Sequence, residues 1–355
     1  MAPMVHEVVV VGAGVSGLAL ARSLRSGGLE PVVLERSRGV GGRCATRRVE
    51  GQPVDHGVPF LHGHSPRFLA ELEDVAGATP IPGWPGERVG AGLPCRPEAF
   101  GGRDRRLAFR EGVSRFPKHL ARGLDVRLGM NVVTLSRAAG LAGPGPAAWE
   151  LGLDPGGPLL ARSVVLALPV PSALRLLCPQ DAPPVAPAGV LALLELVRTQ
   201  PCLAVIARYA ADVPQPTWEA SFPEGNAALQ AILRDSSKRE AGARLTLVLQ
   251  ARAAWSRERV EEPAGGWSGA LLAEAAALHG DWVSRPSLLQ AHVWHHARVA
   301  GGSELAAPLA LRLDDGRVLG VCGDGFAPAG GLEGAHLSGL ALAGRIQPLV
   351  RPPTP

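Results

Sequence analysis

The stretch VVVVGAGVSGLALARSL, residues 8–24, confines the start of the chain to one local fold. Four consecutive valines favour a strand buried on both faces. Glycines at 12, 14 and 17 then make a GxGxxG turn, and the apolar spacing beyond it predicts a helix over 15–26, stopped by Gly27-Gly28. Gly12 permits the tight turn, Gly14 lets backbone approach a pyrophosphate, and Gly17 lets helix and strand pack closely. The free amides at Val15 and Ser16 and the positive helix end would hold the phosphates. Glu35 follows 18 residues after Gly17, at the end of the strand PVVLE, where a carboxylate accepts hydrogen bonds from both ribose hydroxyls. An adenine dinucleotide is therefore expected. Glu35 would repel a 2'-phosphate, while Arg36 beside it leaves NADP open.

Further along, SPRFLAELEDVAG predicts a helix with an N-cap serine and proline at its first turn. Residues 80–110 are rich in Gly, Pro and Arg and read as loops or short antiparallel strands. GVSRFPKHLARGL reads as a helix, DVRLGMNVVTLSR as one strand after it, and WELGL and RSVVLALP as two more. The Pro-rich 178–189 segment reads as a linker. Beyond it CLAVIARY, RLTLVLQA and SLLQAHVW predict a mostly antiparallel sheet, with WSGALLAEAAALHG as a helix. The chain closes on a buried strand, a glycine loop and a helix. The expected fold is an α/β Rossmann-like dinucleotide domain (1–79, 112–178 and 303–355) interleaved with an α+β substrate domain (80–111 and 179–302) built on a mostly antiparallel sheet.

With 36 basic and 32 acidic residues and no basic block, nucleic acid is not implied. Five scattered cysteines without CxxC or metal-ligand spacing disfavour zinc and dithiol chemistry and fit a reducing compartment. No metal ligand is expected. No apolar run reaches membrane-span length and the N-terminus lacks a signal-peptide pattern, so the default expectation is cytoplasmic, away from membranes.

GVGGRCATRR, directly after the Glu35 strand, identifies the dinucleotide. Arg38, Gly41, Gly42, Arg43 and Thr46 match the second glycine motif, close to RxxGGRxxT, of the glutathione-reductase-like FAD proteins and of the amine-oxidase group in particular. Two glycines allow another close approach, and Arg43 adds a fixed charge beside a pyrophosphate. VDHGVPF resembles the D-x-G-x-x-[FY] segment of that group, which implies that Asp55 anchors a turn and that Gly57, Val58, Pro59 and Phe60 line a flavin. CGDGFAPAGGLEGAHLSG resembles its last motif, which implies that Gly323 and Asp324 hold the ribityl chain. It also sets the amides of Leu332, Glu333, Gly334 and Ala335 against the flavin pyrimidine, where a helix N-terminus stabilises the reduced, negatively charged ring. The Glu333 side chain reads equally as a capping residue. Val132 matches the valine that the group sets against adenine, and reads equally as core. Cys322 suggests a buried strand thiol, so the FAD is expected to be non-covalent.

The order of VVLALPVPSALRLL, DSSKRE, HVWHHARV and the closing motif resembles the renalase-like branch, including its bacterial members. That resemblance implies oxidation of 2- or 6-dihydro-NAD(P) isomers by hydride transfer to flavin, with oxygen as electron acceptor. The expected state is a monomer or homodimer, between which the sequence does not choose. Positioning, not acid–base help, would be the main contribution. Substrate-side candidates are Trp218 and His295 first, with Asp235, Lys238, Trp294 and Arg298. Trp218 could stack on a ring or pack a core; Lys238 and Arg298 could pair with phosphates or be solvated charges; in WHHAR one histidine faces inward and the other outward. The HH pair replaces an arginine common in relatives. Two alternatives stay open: an FAD-dependent amine or imine oxidase or dehydrogenase, and a non-enzymatic escort of the GDP-dissociation-inhibitor type.

Overall fold

The computed structural model describes residues 4–138, 147–327 and 330–351. They divide into two compact units, one of 1–42, 116–199 and 298–355, the other of 43–115 and 200–297.

In the first unit the expected strand–turn–helix forms as Val5–Val11 and Val15–Ser26. Five parallel strands run in the order 125–128, 32–35, 5–11, 159–166 and 318–321, with Val11 opposite both Leu34 and Leu166. Val8, Val9 and Val10 are wholly buried, and so are Val164, Val165 and Leu319, as the continuous apolar run demands of a strand covered on both faces. Each such side chain contributes roughly 1.5–3 kcal/mol of burial. An antiparallel pair, 131–137 with 149–154, joins the sheet through the first half of 159–166.

The last helix, Gly331–Val350, crosses the first. A Cβ on Gly339 would collide with the Ser16 carbonyl oxygen, so glycine there permits the backbones to touch. N- and C-terminal segments thus share one core.

DVRLGMNVVTLSR is two strands, not the single one expected. Gly129, at φ +71°, turns the chain, and the amides of Gly129 and Met130 bond to the carbonyls of Ser37 and Glu35. The first piece then pairs parallel with 32–35 and the second antiparallel with 149–154.

The second unit carries a six-stranded sheet in the order 288–299, 199–208, 246–251, 229–234, 220–221 and 88–89. It is mostly antiparallel as expected, the short 88–89 pairing being parallel. Odd residues of two central strands, Leu203, Val205, Leu247 and Leu249, pack with Trp267, Leu271 and Ala275 of the helix Ala264–His279. Even residues Ile206 and Val248 face the other way, onto Val49, Val54, Phe60 and Trp84. That second layer holds the hairpin Thr46–Val49/Gln52–Asp55 and a three-stranded sheet from 61–63, 105–109 and 80–82.

The boundaries expected at 79/80, 111/112, 178/179 and 302/303 fall instead at 42/43, 115/116, 199/200 and 297/298. Residues 43–79 go with the second unit because their strands pair with 105–109 and their Asp55 bonds to Asp235, Lys238 and Arg239. Residues 179–199 go with the first because Leu194 and Val197 fill its core.

Candidate active site

In the first unit, Gly12 sits at φ +106° with its amide bonded to the Leu34 carbonyl. A Cβ there would lie 2.6 Å from the Ala167 oxygen, and one on Gly17 would strike the Gly12 carbonyl. A Cβ on Gly14 would meet nothing within 4 Å, so the middle glycine borders open space. Gly14 caps the helix without a side-chain hydrogen bond, and no acidic residue stands in the first turn. The amides there are therefore available to an anion.

The second glycine motif joins this turn directly. Gly41 pairs with Gly14 and donates its amide to the Ala13 carbonyl at 2.8 Å. Gly42, at φ +55°, brings its Cβ position within 3.7 Å of the Gly14 Cα, and Arg36 is exposed beside them. Glu35 is 8% exposed and accepts from the Ala13 amide (2.9 Å) and the Ser37 amide (2.8 Å). A carboxylate has about four lone-pair sites, so roughly two remain for ribose hydroxyls. Glu35 therefore also braces the loop, a role the spacing alone did not reveal. Val132 is the second residue of the strand that the Met130–Glu35 bond ties here, and it packs half-buried against the core.

The C-terminal motif reaches the same loop. Leu168 approaches both the Gly12 and the Gly323 Cβ positions, at 3.1 and 3.8 Å. Gly323, at φ +148°, donates its amide to Ser338 Oγ at 3.2 Å, ahead of the buried Asp324. Gly330 and Gly331 take φ +57° and +65° to open the last helix, whose first turn carries buried Glu333 and Ala335 with Leu332 and Gly334. Pro328 and Ala329 of this motif lie outside the described residues. Burial pushes the Cys322 thiol up to about 12, which keeps it protonated. The open glycine, uncapped amides, spare carboxylate sites and two convergent motifs fit an adenine dinucleotide. A cavity of about 250 Å³ lined by Val5, Glu7, Arg162 and Val318 lies at the opposite ends of these strands and has no part in this arrangement.

In the second unit the turn Asp55–Pro59 is held at every residue. The Trp294 indole donates to the His56 carbonyl (3.1 Å), Gln250 to that of Gly57 (2.8 Å) and Lys238 to that of Pro59 (2.9 Å). The Val58 amide bonds to the Arg43 carbonyl (2.9 Å), and a Cβ on Gly57 would lie 3.0 Å from Trp294 Cζ2. Arg43 itself reaches the carbonyls of His296 and Ala297 at 3.4 Å. Asp55 bonds to Lys238 (2.5 Å), Arg239 (2.9 Å), Thr46 Oγ1 (2.6 Å) and the Val113 amide (3.0 Å). Burial alone would raise the Asp55 carboxyl, but Lys238 and Arg239, helped by those hydrogen bonds, hold it below the usual carboxylate range.

Beside the turn, His56 and His292 meet edge to face at 4.9 Å, and Trp294 lies 5.3 Å from the first ring and 4.2 Å from the second. Burial, then the charges of His292 and Arg47, push His56 down to about 4. Burial, then Arg47 and His295, push His292 to about 4 as well. Both rings are neutral at pH 7. Arg47 donates to Gln290 Oε1 (3.1 Å) and towards His292 Nδ1 (3.4 Å). As guanidinium only donates, His292 accepts at Nδ1 and carries its proton on Nε2.

Several expected substrate-side residues fall elsewhere. Trp218 is 9% exposed in the helix-side core, its ring tilted 40° to that of His279 at 4.7 Å, which supports core packing over ring stacking on a substrate. His295 is exposed, on the opposite face of strand 288–299 from His292, Trp294 and His296. Lys238 spends its three donors on Asp55, Asp235 and the Pro59 carbonyl, which leaves none for a substrate phosphate. Asp235 is buried in the same cluster, while Arg298 is half-buried near the end of strand 288–299 and stays a candidate. The Phe60 side chain packs in the core against Phe100 (5.8 Å) and Trp84 (6.0 Å), so its ring anchors the turn's exit. Missed were Arg47, His56, Gln250, Gln290 and His292. The period-2 run Gln290, His292, Trp294 was visible, but which face looks inward was not.

Glycine turn, bracing carboxylate and C-terminal motif on one parallel sheet define an FAD-type dinucleotide-binding oxidoreductase fold. Residues 10–74 match the NAD(P)-binding Rossmann-like domain, and residues 83–347 match the flavin containing amine oxidoreductase family. The chain belongs to the flavin containing amine oxidoreductase family, whose cofactor is FAD. Among curated proteins it is similar to polyamine oxidase 4 of Oryza sativa subsp. japonica, at 46% identity over 16% of this chain and 12% of that one. It is also similar to (S)-6-hydroxynicotine oxidase of Paenarthrobacter nicotinovorans, at 40% identity over 19% and 17%. The matches span less than a fifth of the length of these curated relatives. Cyclohexylamine oxidase from Brevibacterium oxydans IH-35A shares the fold with a TM-score of 0.70 at 16% identity, over 97% of this chain and 99% of that one. Putrescine oxidase with bound putrescine gives 0.65 at 16%, over 97% and 99%.

Proposed function

We propose that this protein is an FAD-dependent oxidoreductase that oxidises a small amine, with oxygen as electron acceptor. The observation that carries the reading is the family match over 83–347, which takes in the turn-holding residues Lys238, Gln250 and Trp294 as well as the C-terminal motif. Bound FAD supplies a two-electron acceptor for hydride from the carbon next to nitrogen.

The chain's own residues bind and position. Gly12 to Gly17 and Glu35 hold the dinucleotide; Arg36, Gly42, Arg43 and Val132 belong to its surroundings. Gly57, Val58 and Pro59 are assigned to the flavin side with Gly323, Asp324 and the amides of Leu332 to Ala335. A turn bonded at every residue from Asp55 to Pro59 is held in place, so its geometry is set before substrate arrives. His56 and His292, neutral above about pH 4, offer hydrogen bonds without storing a proton. The amine's proton is left to solvent.

The renalase-type reading, oxidation of dihydro-NAD(P) isomers, loses one of its two candidate phosphate partners, because Lys238 is fully engaged inside the fold, and keeps only Arg298. Anaerobic mixing of purified protein with an amine panel and with 2- and 6-dihydro-NAD(P) separates the two. Flavin bleaching by amines is expected; bleaching by dihydronicotinamides alone would overturn the proposal. A colourless protein that takes up no added FAD would favour the escort reading.

A further inference from the structure

Arg47 is a half-buried guanidinium whose partners are all neutral. Along the strand Thr46–Val49 the side chains alternate: Thr46 turns to Asp55, and Arg47 turns with Val49 towards the six-stranded sheet. There it meets Gln290 and His292 from strand 288–299, next to His56 of the Asp55–Pro59 turn. The acids near it serve other cations. Glu50 binds Arg208 (2.9 Å) and Arg244 (3.3 Å), and Asp55 binds Lys238 and Arg239. No carboxylate among the described residues pairs with Arg47.

This arrangement has a cost that a ligand would remove. Arg47 helps to push both His56 and His292 to neutrality, so the cluster holds one net positive charge and two imidazoles that cannot share it. His295, which also acts on His292, and exposed Arg48 add no negative charge. About three of the five guanidinium N–H groups have no protein acceptor. The neighbouring rings of His56, His292 and Trp294 make an aromatic wall 4.2–5.3 Å between centroids, suited to an apolar body. A diamine or polyamine would bring a second cation towards Arg47, which is unfavourable in a partly dry setting. A carboxylate would take the planar guanidinium in bidentate fashion.

We propose that Arg47 is a specificity-determining anion site, and that the amine this chain takes carries a carboxylate. The inference rests on the amine-oxidoreductase reading and deepens it. Gln290 and His292 hold the guanidinium in place by two hydrogen bonds, and the aromatic wall selects what lies between the acid and the amine.

The test uses the FAD-loaded enzyme and probes matched in body: both enantiomers of phenylalanine, 2-phenylethylamine and putrescine, with anaerobic flavin bleaching as readout. One phenylalanine enantiomer is expected to give a kcat/KM at least tenfold above that of 2-phenylethylamine. Arg47→Gln should erase that preference mainly through KM, and Arg47→Lys should restore part of it. Equal rates for the two probes in the parent enzyme, or an unaltered preference in Arg47→Gln at an unchanged unfolding midpoint, would overturn the inference and leave amine oxidation standing. If no amine bleaches the flavin, that reading fails, and benzoate decides the site independently. Perturbation of the flavin spectrum by benzoate that is lost in Arg47→Gln supports an anion site, and no benzoate binding overturns it.

Discussion

Lys238 Nζ lies 2.5 Å from Asp55 Oδ2, with both side chains fully buried. The same ammonium reaches Asp235 and the Pro59 carbonyl, and Arg239 bridges the two carboxylates from the other side. Two cations and two anions close the cluster. One charged network therefore fixes both ends of the turn 55–59.

Removing Lys238 leaves a buried, uncompensated negative charge, which costs about 3–5 kcal/mol. Lys238→Met should lower stability by that order, read by denaturant unfolding. A change under 1 kcal/mol would mean that the cluster is wetter or looser than its geometry indicates.

Gly14 and Gly17 should respond differently to alanine. Gly14→Ala meets no protein atom, so the fold should keep its unfolding midpoint while FAD content after purification falls. Gly17→Ala strikes the Gly12 carbonyl and stands 2.9 Å from Ala167 Cβ, so the apoprotein should lose about 1–3 kcal/mol. Full FAD occupancy in Gly14→Ala would remove the phosphate role of the turn.

Glu35→Ala strips the Ala13 and Ser37 amides of a buried acceptor, at about 1–3 kcal/mol, and also weakens FAD retention. Unfolding of apoprotein and holoprotein separates the two effects. Equal losses in both forms would leave Glu35 a loop brace and nothing more.

Acid should destabilise the fold through His56. Its folded-state value, about 4, lies below the unfolded 6.5, so between those limits the unfolded chain binds the extra proton. The stabilisation is whole above pH 6.5 and is lost as pH falls towards 4, at no more than about 1.4 kcal/mol per pH unit. His292 adds in the same direction but less, being more open to solvent. The facing charges are Arg47, Asp55 and His295. His56→Asn should flatten this slope of stability against pH; a slope equal to the parent's would reject the assignment.

Trp218→Ala should cost about 3–5 kcal/mol by opening a cavity between sheet and helix. His295→Ala, at an exposed position, should leave stability and flavin reduction by amines near parent values. Loss of flavin reduction in His295→Ala with an intact fold would restore that histidine to the substrate side.

Local chemistry made much of this legible beforehand. The glycine turn, the helix from Val15 to Ser26 and Glu35 at its strand end depend on neighbours within a few residues, where sterics and periodicity act directly. The closing motif was readable for the same reason. What periodicity could not supply was facing. Strand 288–299 alternates whichever side is inward, and only its packing of Ala291 and Val293 onto the helix layer places His292 on one face and His295 on the other.

From residue order alone came the strand–turn–helix, the dinucleotide and the family resemblance, because each depends on contacts between close neighbours. Three-dimensional packing assigned residues 43–79 to the second unit, brought Lys238 onto Asp55 183 positions away, and stood Arg47 beside His292 across 245 positions. Such pairings carry no local signature: charge neutralisation and burial act on distance in space, which folding alone sets.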